Sequence, residues 1–148
     1  MSRISSFRGQ LASGEQERIN LHTITGMTGY QIVKFQVMSA LPFQSADEHI
    51  VKIYKTDQTN NVDGTIDFEN NRLLGAAIIN SDSAGYRYAS NPVIIFDNEK
   101  FNQDIYVTAF NGDATASVNN YIELKGVRLD LSEQTVATLK DIRNVGVQ

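Results

Sequence analysis

Cysteine and tryptophan are absent from this 148-residue chain, and it contains only two prolines and two histidines. Without cysteine there is no disulfide, no thiol nucleophile, no iron–sulfur ligation and no thiolate zinc site. Long apolar runs are missing too. The longest, at 75–79 and 92–96, fall far short of the roughly 20 residues of a membrane-spanning helix, so no membrane partner is expected. Residues 1–14 lack the apolar core of a signal peptide, which predicts a chain that is not exported by the general secretory route. There is also no basic stripe. The formal net charge is −4 and the basic residues are scattered, which predicts no nucleic-acid partner, because phosphate binding needs clustered Lys and Arg.

What remains is an ordinary apolar fraction of 41%, enough for one core in a chain of this length. The pattern is strand-like. In 30–38, Gln31, Val33, Phe35 and Val37 share one side, which predicts the core face, and Tyr30, Ile32, Lys34, Gln36 and Met38 share the other. Residues 49–56 alternate again, and 73–80 and 92–96 read as buried strands. Turn signals recur about every ten residues, the signature of a sandwich or barrel. The fold class expected is therefore all-β: an antiparallel β-sandwich, jelly-roll or immunoglobulin-like, with one short C-terminal helix.

Two local features sharpen that expectation. Asn111-Gly112 follows the strand pattern 104–110 and predicts a hairpin with 116–131. Within that partner, Ile122 and Leu124 are even-numbered whereas Val127, Leu129 and Leu131 are odd, so a bulge is expected at Lys125-Gly126. Residues 1–16 are polar with sparse apolar anchors and read as an arm or an edge segment, ahead of a single β-sandwich domain over 17–148. The one helix is expected at about 132–143, capped by Asp130 or Ser132, with Val136, Leu139 and Ile142 or Arg143 on one side.

Catalytic motifs are weak throughout. His22 and His49 come with no nucleophile elbow and no HExxH pattern. Asp97 with Glu99, or Asp63 with Asp67, have the spacing of paired carboxylates, yet any acidic chain offers such pairs and solvated turns explain them. Residues 57–69 resemble a calcium loop in composition. Counted from Asp57, Val62 stands where glycine is needed and Phe68 where the bidentate glutamate belongs, so the offsets fail and a β-turn is preferred. No metal or cofactor is expected. Tyr86, Arg87 and Tyr88 form a loop suited either to surface recognition of sugar or protein, or to packing over a sheet edge.

The segments GYQIVKFQVM at 29–38, HIVKIYKT at 49–56, IIFDNEKFNQDIYV at 94–107 and YIELKGVRLDLSEQTVATLKDIRN at 121–144 resemble small virion structural proteins of tailed phages infecting marine bacteria. The likeness extends over most of the chain from Arg3. It implies a β-sandwich subunit present in many copies in the virion, assembled in the host cytoplasm, with no enzymatic residues to carry over. On that reading the chain is a capsid decoration or cement protein. Its partners are the major capsid protein or other virion proteins, and it forms a homo-oligomer, expected as a trimer. Contact candidates are Ile4, Phe7 and Arg8 of the arm and Val136, Leu139 and Ile142 of the helix. The alternatives are a tail or head-to-tail connector component, and a carbohydrate- or receptor-binding β-sandwich module using Tyr86, Arg87 and Tyr88.

Overall fold

The computed structural model describes residues 3–21, 23, 27–41, 48–59, 62–80, 92–96, 100–112, 116–129 and 137–139. Eight strands follow one another: β1 (Arg3–Leu11), β2 (Gln16–Ile19), β3 (Thr28–Ser39), β4 (Glu48–Tyr54), β5 (Leu73–Asn80), β6 (Val93–Ile95), β7 (Ile105–Asn111) and β8 (Val118–Arg128). They form two antiparallel sheets packed face to face, one ordered β1-β8-β3 and the other β2-β7-β4-β5-β6. This is an all-β sandwich with a short helical segment at 137–139. The remainder of the helix expected over 132–143 lies outside the described residues.

The core is the set of side chains that alternation aims between the sheets. β8 sends Val118, Ile122 and Leu124 inward, where they meet Phe35 of β3, Val51 and Ile53 of β4, and Val107 of β7. Each such burial contributes about 1.5–3 kcal/mol relative to exposure. β4 sits in the middle of the larger sheet and is covered on both faces, since Ile50, Lys52 and Tyr54 on its outer side are buried as well. Their cover is the segment 62–70. It is held down by Lys52, whose Nζ donates to the Thr65 carbonyl at 2.5 Å and lies 3.3 Å from Asp63 Oδ1, with the Tyr54 ring 5.5 Å away. Gly64 passes so close that a Cβ there would meet Phe110 at 3.0 Å and Ile50 at 3.2 Å.

Three expectations are corrected. First, of the two readings of residues 1–16, an arm or an edge segment, residues 3–11 take the second and belong to the domain rather than preceding it: they form an edge strand paired with β8 at nine consecutive positions from Arg3↔Gly126 to Leu11↔Val118. Leu11 is buried and Phe7 packs against the core, so the sparse apolar anchors mark one face of an intramolecular strand. Second, the core face of β3 changes partway along. Its register passes from Ile32↔Leu124 to Lys34↔Glu123, leaving Val33 as an extra residue. Such an insertion reverses the facing of everything beyond it. Ile32 and Phe35 therefore both reach the core, while Val33 is 45% exposed. The bulge is in β3 and not at Lys125-Gly126, where both ladders run without a shift. Leu129 is buried by another route: beyond β8 its N–H donates to the Met27 carbonyl at 2.7 Å, and its side chain fills the space that a Cβ on Gly29 would need.

Third, Asn111-Gly112 does not close a hairpin. β7 belongs to the five-stranded sheet and β8 to the other, so the connection carries the chain between sheets. The polar groups of the dipeptide turn to neighbouring elements instead. Glu48 N donates to Asn111 Oδ1 at 3.3 Å, Asn111 N to Ser13 Oγ at 2.9 Å, and Gly112 N to the Glu48 carbonyl at 3.1 Å. The connection from β1 to β2 also crosses between the sheets at this end. There Gly14 takes φ +86°, its N–H donates to the Ala109 carbonyl at 2.8 Å, and the Ala12 N–H donates to the Glu15 carboxylate at 2.6 Å.

Deletion of residues 1–11 is expected to remove a strand from the fold rather than a tail, costing about 2–4 kcal/mol from the buried Leu11 and the partly buried Phe7 alone. Thermal unfolding followed by circular dichroism checks this; an unchanged midpoint would restore the arm. Lys52→Ala is expected to cost about 2–4 kcal/mol, because it opens a cavity and strips the donor from the Thr65 carbonyl. Lys52→Met is expected to cost less than half of that, as judged by urea midpoints, because it keeps the volume and removes the buried charge.

Candidate functional site: the open face of the three-stranded sheet

The two sheets differ in what covers their outer sides. The five-stranded sheet carries 62–70 over β4, whereas among the described residues no element lies over β1-β8-β3. Alternation places Ile4, Ser6, Arg8 and Gln10 of β1 on that open side, with Asn119, Tyr121, Glu123 and Lys125 of β8. Beyond the bulge, β3 adds Lys34, Gln36 and Met38. In the ladder Arg8 stands opposite Tyr121, which stands opposite Gln36, and two positions along, Gln10, Asn119 and Met38 form a second cross-strand row.

A cavity of about 840 Å³ is lined by these two rows, by the intervening Gly9, Asn120 and Val37, and by Val93 at the neighbouring edge. Within it Gln10 Nε2 donates to Asn119 Oδ1 at 2.9 Å. Next to it, Lys34 Nζ lies 5.9 Å from the Tyr121 ring centre and 3.7 Å from Glu123 Oε2. Asn120 is buried in the intervening row, and its Nδ2 has no hydrogen-bond partner among the described residues.

The charge of this sheet opposes that of the chain. β1, β3 and β8 carry Arg3, Arg8, Lys34, Lys125 and Arg128 against the single acid Glu123, a local charge of +4 in a chain of net charge −4. The remainder of the chain is therefore at −8. Such a separation favours a partner whose negative charge faces this sheet. Reading along the chain misses it, because Arg8, Gln36 and Tyr121 are far apart in sequence and only the ladder aligns them. The outward positions of 118–128, polar apart from the single ring of Tyr121, are the one local signal.

Sequence-derived candidates fare differently. Ile4 is 54% exposed and Arg8 is exposed, both accessible to a partner. Phe7 faces inward and packs against the core, which corrects its assignment as a contact residue. Leu139 is 53% exposed, beside Ala137, which is buried, and Thr138, whose Oγ1 accepts from Asn102 Nδ2 at 2.9 Å. Val136, Ile142, Tyr86, Arg87, Tyr88, His22, Asp97 and Glu99 lie outside the described residues. His49 is fully buried with Nε2 3.2 Å from Ser39 Oγ, a packed polar pair at the end of β3.

The acidic stretch after β4 uses its side chains on its own backbone. Asp57, Asp63, Asp67 and Asn70 each accept, through Oδ1, the N–H two residues on, at 2.8–3.0 Å. These are successive Asx-turns, the local alternative to a ladder that Asp and Asn favour. Their geometry matches the turn reading of 57–69. Among the described residues no group of three or more His, Asp or Glu converges as a metal site.

The ionic contacts of β2 are structural. Asp104, buried at the start of β7, accepts from Leu21 N at 2.8 Å and from Arg18 Nε at 2.7 Å, with a second contact from the guanidinium. That carboxylate pushes the Arg18 pKa upward, and burial raises the Tyr106 phenol. Asp57 is held below the ordinary carboxylate range, first by the Thr59 hydroxyl, then by the Gln16 amide and the Thr59 N–H. A lowered folded-state pKa means the unfolded chain binds the proton more readily. The contribution of Asp57 is therefore complete above its unfolded value near 3.8 and disappears as pH falls through the lower, folded one. Asp57→Asn is expected to lower stability modestly above about pH 4, where the carboxylate contribution is present, and to flatten the dependence of stability on pH below it. Urea titrations from pH 2 to 7 check this, and parallel curves for the two proteins would refute it.

Compared with known protein families and with curated proteins, the chain shows no match to either.

Proposed function

We propose that this chain is a non-enzymatic structural subunit of a phage virion, a decoration protein that docks on the capsid lattice and stabilises the particle. The observation supporting the reading is the placement of two apolar side chains from opposite ends of the sequence. Ile4 lies opposite Lys125, near the start of β1, and the adjoining pair Arg3↔Gly126 continues across the ladder to Tyr30. Tyr30 is bridged to Phe101, whose neighbour Asn102 donates to Thr138, next to Leu139. Ile4 projects from the open face near the start of β1, and this run of contacts joins that end of the ladder to the segment bearing Leu139; both side chains are more than half exposed. Exposed aliphatic groups at one end of a rigid β domain suit docking on a protein surface. The resemblance of the segments 29–38, 49–56, 94–107 and 121–144 to virion structural proteins supplies the class of partner.

Docking by this end leaves the cavity rows outside the contact, because 8–10 of β1 lie several residues, roughly 15 Å, further along the strand. A tail or connector position differs in copy number. Quantitative mass spectrometry of purified particles against the major capsid protein is expected to give copies comparable to the lattice. A few copies per particle would move the assignment to tail or connector, and absence would overturn the virion reading. Ile4→Asp and Leu139→Asp are each expected to lower occupancy on the particle about tenfold or more without changing the thermal midpoint.

A further inference from the structure

The open face of the three-stranded sheet carries a second kind of surface, away from the apolar end. Its two cross-strand rows stand about 7 Å apart, the repeat of alternate residues along a strand, and extend about 10 Å across three strands. One row presents Arg8, Tyr121 and Gln36, the other Gln10 and Asn119 ahead of Met38. Three planar amides offer donors and acceptors side by side, which matches vicinal hydroxyl groups that donate and accept in turn. Tyr121 offers a flat amphipathic surface at low entropic cost. Among the described residues no ion pair engages Arg8, whose planar fork fits a carboxylate through two hydrogen bonds. On the face itself Arg8, Lys34 and Lys125 stand against Glu123, a charge of +2 that adds attraction for an anion in a chain of net charge −4.

We propose that this face is a binding site for a carboxylated saccharide, with the carboxylate on Arg8, hydroxyl groups on the amides of Gln10, Gln36 and Asn119, and a sugar ring against Tyr121. A nucleic acid would ask for several stacking aromatics along the track, and among the described residues this face has one. An acidic peptide would use the charge but not the paired amide rows. The inference rests on the chemistry of the face alone and is independent of the virion reading.

The test is calorimetric titration of the purified full chain with a galacturonic-acid trisaccharide, with neutral maltotriose, and with polyglutamate and single-stranded DNA of matched charge. The acidic trisaccharide is expected to bind at least about tenfold more tightly than maltotriose, the difference assigned to the Arg8 contact. Arg8→Gln, at an exposed position, is expected to weaken it about tenfold with the thermal midpoint unchanged, and Tyr121→Ala, at a half-buried one, to weaken it about tenfold while the chain stays folded. In the unaltered chain, amide chemical-shift changes are expected to centre on residues 8–10, 36–38 and 119–121. Absence of binding, shifts centred elsewhere, or affinity untouched by both substitutions would overturn the proposal. Equal or tighter binding of polyglutamate or DNA would also overturn it, by showing a general anion surface.

Discussion

The extra residue Val33 in β3 decides which side chains of the three-stranded sheet enter the core and which remain outside. Before it the even-numbered Ile32 faces inward; after it the odd-numbered Phe35 and Val37 do, and Lys34, Gln36 and Met38 face out. A regular strand would have kept the even phase and driven the Lys34 ammonium and the Gln36 amide between the sheets, where unpaired polar groups are costly. The bulge avoids that cost and, by the same shift, supplies the polar edge of the open face. Core and candidate site thus depend on one irregularity.

The sheets divide the remaining work. The larger one has β4 at its centre and covers its own outer face, and the buried Lys52 amine holds 62–70 over Ile50 and Tyr54. That cover spends its acids on Asx-turns and on Lys52. The smaller sheet concentrates basic groups around an uncovered surface. Acidic turns on one side and basic strands on the other give the domain a direction, and an electrostatic field of that kind orients an approaching anion before contact.

Much of the architecture was legible in the chain. Alternation in 49–56 and 104–110, turn residues at short intervals and the lack of helical periodicity before residue 132 all point to an antiparallel sandwich. Exposure of the apolar anchors was legible only in part. Ile4 and Leu139 are exposed, whereas Phe7 packs against the core, because an anchor on an edge strand looks the same whether its partner is another chain or the chain's own sheet. The amide, tyrosine and arginine rows were not legible, since their members come from three strands.

Composition and period by themselves determined the class of this protein: no thiol chemistry, no membrane-spanning helix, strands of period two and enough apolar surface for one core. These follow from residue type and nearest neighbours, which tertiary contacts do not alter. Only the tertiary structure decided that residues 3–11 are a strand, that Asn111-Gly112 links two sheets instead of closing a hairpin, and that the bulge falls at Val33. Each of those depends on which strand lies alongside. Pairing partners are chosen by burial summed over the whole sheet, and a local pattern carries no information about the strand it will meet.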